Sequence, residues 1–284
     1  MIRTLLPHEF PPLLAEIPEP PKQLNLWGSL PNPDNKLLAI VGARKYSHYG
    51  REALDEIIAG LSGYPVTIVS GLALGIDGLS HGGAIRSGLQ TIALPGSGLD
   101  KSVLHPRSHY RLAEEIVENG GGLISEYDNT MPAGVWTFPR RNRIMAGMCH
   151  ATIVVEAEMR SGTLITSRLA TEYNREVGAI PGPISSPTAE DPHMLIRLGA
   201  ALIRSSRDVL ELLDLDSGGQ GPLFDLEDMT SDEKIFINLL STPCERDTLV
   251  RKSKINISQA NAVLSLMEIK GLIKEEMGEV RKTF

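Results

Sequence analysis

Six short apolar runs, each closed by a small or turn-forming residue, decide what this chain can fold into. They are residues 37–41 (LLAIV, then Gly42), 66–69 (VTIV, then Ser70-Gly71), 91–94 (TIAL, then Pro95-Gly96), 122–124 (GLI, then Ser125-Glu126), 152–155 (TIVV, then Glu156) and 177–180 (VGAI, then Pro181-Gly182). A weaker seventh covers 200–203. Uninterrupted apolar runs of this length suit strands buried on both faces, as in a parallel sheet. Stretches of helical length separate most of them, at 50–62, 77–88, 109–119 and 163–175. Strand, helix, strand at this spacing predicts an α/β, Rossmann-like doubly wound sheet over residues 37–212. Right-handed crossovers then bring every strand's carboxyl end, and with it the glycine-rich turns, to one edge, where such sheets bind ligands.

The flanks read differently. Residues 1–36 hold Pro7, Pro11, Pro12, Pro18, Pro20, Pro21, Pro31 and Pro33, which exclude long helices and central strands. The expectation is an extended lead-in that packs through Leu24, Leu26 and Trp27. Residues 213–228 are acidic and glycine-rich and read as a linker. Residues 229–284 predict three helices, capped by Ser231, Asp247 and Ser258, then a hairpin turning at Met277-Gly278. Three helices followed by a wing is winged-helix order.

Composition narrows the partners. The formal net charge is -7, so any nucleic-acid site has to be a local patch. No apolar stretch approaches the ~20 residues of a membrane helix, and the proline-broken start has no apolar signal core. The two cysteines, Cys149 and Cys244, fall in different expected domains and fit a reducing, cytoplasmic setting. The scattered histidines complete no ligand set, so no metal is expected.

Three loops could hold an anion. Gly42-Ala43-Arg44-Lys45 lets backbone and side chains approach a phosphate together, ahead of a helix N-terminus; a plain strand–helix turn with solvated cations would look the same. Phe138-Pro139-Arg140-Arg141-Asn142-Arg143 sets guanidinium forks beside an aromatic on which a base can stack, or else forms a solvated cationic turn. Arg160-Ser161-Gly162-Thr163 opens a helix with free N–H groups, or is simply capped by Ser161. From 138 to 168 five arginines face two glutamates, a local excess of positive charge. The Ser70-Gly71 turn, running to Asp77, does not follow G-x-G-x-x-G, and Asp77 can be read as a helix cap. His81, one turn further on, reads as a packed helix histidine. In 95–102 (PGSGLDKS) Asp100 stands where a P-loop needs glycine, which argues against nucleoside-triphosphate hydrolysis.

These motifs in this order resemble the DNA-processing protein A (DprA/Smf) family. The pieces are VGARKYSHYG, VSGLALGIDGLSH, LPGSGLDKSVLHP, FPRRNRIMAG, VVEAEMRSGTLITSRLA, AIPGPI and LIRLGA. The resemblance implies single-stranded DNA binding, protection of incoming strands in natural transformation, loading of the RecA recombinase, a homodimer, no cofactor and no catalysis. By motif it assigns DNA contact to Gly42, Arg44, Phe138, Arg140, Arg141, Asn142, Arg143, Ser161 and Gly162; Lys45, Ser70, Gly71, Arg160 and Thr163 join them from the loop reading. The sequence departs from the pattern where members often carry a lysine just before FPRRNR, since Val135 and Trp136 occupy that region.

The competing reading is a nucleotide-binding phosphoribohydrolase of the lysine-decarboxylase-like type, which resembles P-G-G-x-G-T-x-x-E at the 160–166 loop. Here Thr166 stands in place of the glutamate. The 231–284 segment holds nine cations and eight anions, and its candidate recognition helix carries only Lys270 as a cation. That balance favours protein contact or weak DNA contact over duplex readout.

Overall fold

In a computed structural model the chain forms two compact units, Met1–Ser217 and Gly218–Phe284. The structure describes residues 2–157, 162–215, 230–240, 244–253, 255–269, 272–276 and 278–282.

In chain order the first unit contains β1 (Ile2–Leu5), β2 (Leu24–Gly28), β3 (Lys36–Val41), α1 (His48–Ala59), β4 (Val66–Ser70), α2 (Ile76–Arg86), β5 (Gln90–Ala93), α3 (Tyr110–Glu118), β6 (Gly122–Ser125), α4 (Thr137–Met148), β7 (Ala151–Val154), α5 (Gly162–Glu172), β8 (Glu176–Ala179), α6 (Glu190–Arg197), β9 (Ala201–Leu202) and α7 (Ser206–Leu212). Among the described residues the strands form one sheet in the order β1-β2-β6-β5-β4-β3-β7-β8-β9. From β6 to β9 all pairings are parallel. The apolar runs are its core strands: Leu38, Ala39, Ile68, Val69, Ile92, Ile153 and Val154 are buried, with hydrophobic clusters on both faces. The fold class is the Rossmann-like one expected.

The proline-rich start is not an extended lead-in. Its residues build β1 and β2, an antiparallel pair added to the edge of β6, with Leu26 opposite Ile124. The prolines allow this because they fall between the two strands or after them, so neither strand loses an N–H. Leu24 and Leu26 are buried, as the lead-in reading expected.

The chain runs from β3 outward through β4 and β5 to β6, then returns to lay β7 on the other side of β3. The direction of winding reverses between β3 and β7. There the crossovers diverge and leave a crevice at the carboxyl ends.

The second unit contains α8 (Ser231–Leu239), β10 (Cys244–Glu245), α9 (Arg246–Ser253), α10 (Ile257–Ile269), β11 (Ile273–Glu276) and β12 (Glu279–Lys282). The small sheet is ordered β10-β12-β11, the wing of a winged helix, over a core that includes Phe236, Leu249, Leu264 and Met267. The caps differ from those expected. Thr230, not Ser231, caps α8, in a reciprocal box with Glu233. At α10 the Asn256 side chain accepts the Ser258 N–H, so Ser258 is already inside the helix. Residues 216–228, most of the expected linker, lie outside the described residues, as do Met277 and Gly271. Among the described residues no helix is long and apolar enough to cross a membrane.

Candidate nucleic-acid interface

At the switch point lies a pocket of about 450 Å³, lined by Gly42, Ala43, Arg44 and Lys45 after β3, Ala73 and Asp77 after β4, Phe138, Arg141, Asn142 and Met145 on α4, and Gly162 and Thr166 on α5.

The β3 loop is held rigidly from both sides. Ala43 N–H donates to the Glu156 carbonyl and its own carbonyl accepts the Ile76 N–H. The buried Glu156 carboxylate accepts the Ser47 N–H at 2.8 Å, the Ser47 hydroxyl at 2.6 Å and the Thr188 hydroxyl at 3.1 Å, and Ser47 in turn caps α1. Gly42 has to be glycine, since a Cβ there would sit 2.6 Å from Ile76 Cγ1. Arg44 and Lys45 project from this clamped turn, exposed.

The FPRRNR segment is a helix rather than a turn. Thr137 starts α4 and its hydroxyl donates to the Gly96 carbonyl at 2.6 Å. Pro139 falls in the first turn, where a missing N–H costs nothing. Helical periodicity then divides the motif. Phe138, Arg141, Asn142 and Met145, spaced three and four apart, face the pocket. Arg140 and Arg143 face away and share the Glu126 carboxylate. Arg143 is 11% exposed and also donates to the Glu19 carbonyl. Of the three arginines, Arg141 thus lines the pocket, and Arg140 and Arg143 stand on a separate face.

Phe138 is seated on the 95–102 loop. Its ring lies directly over Gly96, His105 meets it edge-on at 5.7 Å, and the Arg44 guanidinium stands 5.8 Å from its centroid. The loop read as a failed P-loop is thus the support for the pocket's aromatic wall. Asp100 turns back onto its own loop, accepting the Ser102 N–H and hydroxyl.

Arg141 is buried at 6% exposure, donates to the Leu94 carbonyl and packs on Gly71. Ser70 and Gly71 therefore lie behind the pocket. The Ser70 hydroxyl is spent on the Ile40 carbonyl and the Gly71 N–H on Asp77.

Asp77 is the residue whose role sequence reading missed. It does not cap α2; its carboxylate accepts the N–H groups of Gly71 and Ala73 and so shapes the turn before the helix. Burial pushes its pKa up, opposed first by the Arg141 charge and then by these hydrogen bonds. Burial pulls the Arg141 pKa down, and Asp77 works against that. His81 is buried, as read, with Nδ1 2.7 Å from the Thr91 hydroxyl, and burial depresses its pKa to about 3.

Gly162 opens α5 at the pocket, where its carbonyl accepts the Asn142 amide at 3.3 Å. Thr163 lies in the first turn of α5. Arg160 and Ser161 lie outside the described residues. Of the sequence-derived set, the pocket brings together Gly42, Arg44, Lys45, Phe138, Arg141, Asn142 and Gly162.

A doubly wound sheet opening at its switch point into a cationic, aromatic-walled pocket, with a winged helix in a second unit, defines a Rossmann-like protein with an appended winged helix. The family model described as DNA recombination-mediator protein A matches residues 2–214, and that of the DprA winged helix domain matches 227–279. Protein Smf of Escherichia coli is 43% identical over 204 residues, covering 72% of this chain and 54% of that protein. The match thus spans about half the length of that relative. The DNA processing protein DprA of Streptococcus pneumoniae is 42% identical over 197 residues, covering 69% of this chain and 68% of that protein. Among solved structures, DprA of Streptococcus pneumoniae superposes with a TM-score of 0.68 at 39% identity, over 74% of each chain. A structure of DNA processing protein A from Helicobacter pylori, described for its unique single-stranded DNA binding mode, superposes at 0.67 with 25% identity, over 75% of this chain and 95% of that one. The chain belongs to the DNA-processing protein A (DprA/Smf) family.

Proposed function

We propose that this protein binds single-stranded DNA in the switch-point pocket, without catalysis, protects strands taken up in natural transformation and passes them to the RecA recombinase in the cytoplasm. The observation that carries the reading is the joint placement of Arg44, Lys45 and Arg141 with the Phe138 ring in one pocket. Cations for the backbone and an aromatic for a base are what a single strand requires. The Helicobacter pylori relative, described as binding single-stranded DNA, supports it. The hydrolase alternative is less favoured: Thr166 replaces its glutamate, and the pocket's carboxylate, Asp77, is occupied by two backbone N–H groups.

A titration of labelled single-stranded and duplex oligonucleotides at several salt concentrations tests this. The single strand is expected to bind more tightly, with log affinity falling against log salt by about 0.7 per phosphate contacted. Equal affinity for duplex, or affinity indifferent to salt, refutes it. RecA filament formation on strands coated with this protein tests the hand-over.

We also propose a homodimer through the β9 end of the first unit. Met194 and Leu198, on and after α6, are 41% and 77% exposed and border a cavity of about 570 Å³ between α5 and α6; Leu202 on β9 is 44% exposed. Exposed apolar side chains clustered in this way mark contact surfaces. Leu198→Asp is expected to halve the mass seen by light scattering; an unchanged mass excludes this face.

A further inference from the structure

The N-terminal turn of α4 carries the aromatic-plus-cation pairing twice, on opposite faces. The pocket face has Phe138 with Arg44. On the other face Trp136, the residue that enters the helix, lies one turn before Arg140, whose N–H reaches the Trp136 carbonyl. Trp136 is 54% exposed and Val135 before it 90%. The indole does not hang loosely: it meets the Tyr127 ring edge-on at 5.8 Å, and Tyr127 is fixed by its hydroxyl donating to the Thr137 carbonyl at 2.7 Å. Further along the helix two guanidiniums, Arg140 and Arg143, share the single Glu126 carboxylate, which leaves one positive charge in excess. Arg140, 55% exposed, is the accessible member. A large, half-exposed ring packed perpendicular to a fixed tyrosine, one helical turn from an accessible cation, has the composition of a nucleotide platform.

Building on the single-strand reading, we infer that Trp136 is a second base-stacking platform and Arg140 its phosphate partner, so that the strand leaving the pocket rounds the start of α4 and continues on the far face. The crossing is short, since an α-helix with its side chains is about 10–12 Å across. The face uses a tryptophan where a cation alone would serve only the backbone, so its contribution is expected to resist salt better than that of the pocket.

The chain has two tryptophans. Trp27, the other, stacks on Tyr110 with centroids 6.0 Å apart. In the full chain carrying Trp27→Phe, Trp136 emission is followed while an oligothymidine is titrated, and binding is monitored independently by the anisotropy of a label on the oligonucleotide. Strong quenching at saturation is expected. Trp136→Leu should lose about tenfold in affinity with an unchanged salt slope, and Trp136→Phe should recover most of it. Unquenched emission at saturation, or Trp136→Leu binding within twofold of the parent, overturns the platform and leaves the pocket reading standing. Absence of any oligonucleotide binding by the parent removes both. Because the quenching is read on the native tryptophan, it decides the matter even if Trp136→Leu folds poorly.

Discussion

Replacing Arg44 by alanine is expected to weaken binding of a single-stranded oligonucleotide about 30-fold at low salt, the loss of a charge-assisted contact worth about 2 kcal/mol. The residue projects from a turn clamped by Glu156 and α2, and no ion pair to Arg44 is among those described. Little of its charge is therefore spent inside the protein. The substitution should also flatten the salt dependence by about 0.7 in the slope, because one phosphate contact is gone. Folding should be unaffected, since the side chain is exposed. Arg44→Lys separates the two parts of the effect: it keeps the charge but loses the planar fork over Phe138, and should recover only part of the affinity. Affinity of the alanine variant equal to the parent at every salt concentration would falsify the assignment of the pocket.

Arg141→Met is expected to act on stability before it acts on DNA. The guanidinium is buried between Gly71, the Leu94 carbonyl and the Asp77 side of the pocket. Removing it leaves the Asp77 carboxylate buried without its compensating charge, a change that costs about 3 kcal/mol. For a unit of this size that corresponds to a fall in Tm of about 6–12 °C. The deficit should grow with pH. Asp77 has a folded-state pKa raised above its unfolded value, so its protonated form favours folding below the unfolded pKa, and that advantage is lost as pH rises through the folded pKa. Without Arg141 the folded pKa rises further, so melts at pH 8 should show a larger difference from the parent than melts at pH 5. Asp77→Asn in the Arg141→Met background removes the buried charge and should restore part of the Tm. A deficit independent of pH would mean that lost packing, not charge, dominates.

The parts of this molecule legible in the sequence are those whose physics is local. Strands of a covered parallel sheet must be apolar on both faces, so 37–41, 66–69 and 152–155 announced themselves. The β1–β2 pair was hidden because its partner, β6, is far away in the chain and the prolines around it argue for irregular backbone. α4 was hidden for another reason. Its first two turns, TFPRRNR, have no apolar stripe, and the buried side chains at that end are Thr137, Arg141 and Asn142 rather than leucines. With the helix unseen, its period could not sort the arginines, so Arg140 and Arg143 were grouped with Arg141. Asp77 could be seen as a carboxylate at a helix start, but its value to the pocket depends on a loop folding back over it and on an arginine brought from α4.

The two ends of the large sheet have a bearing on how the protein avoids uncontrolled assembly. At one end stands β1, only four residues long, with Arg3 in an ion pair to Glu9 and Pro7 closing the way onward. At the other stands β9, two residues long and followed by the capped turn at Ser205. Neither presents a ladder of free backbone groups long enough to template another strand. Recruitment of further copies by extension of this sheet, the route to fibrils, is thereby disfavoured at both described margins. Association of the first unit is then left to side chains, and in the homodimer proposed above the apolar ones beside β9 would be covered by a single partner in a closed pair.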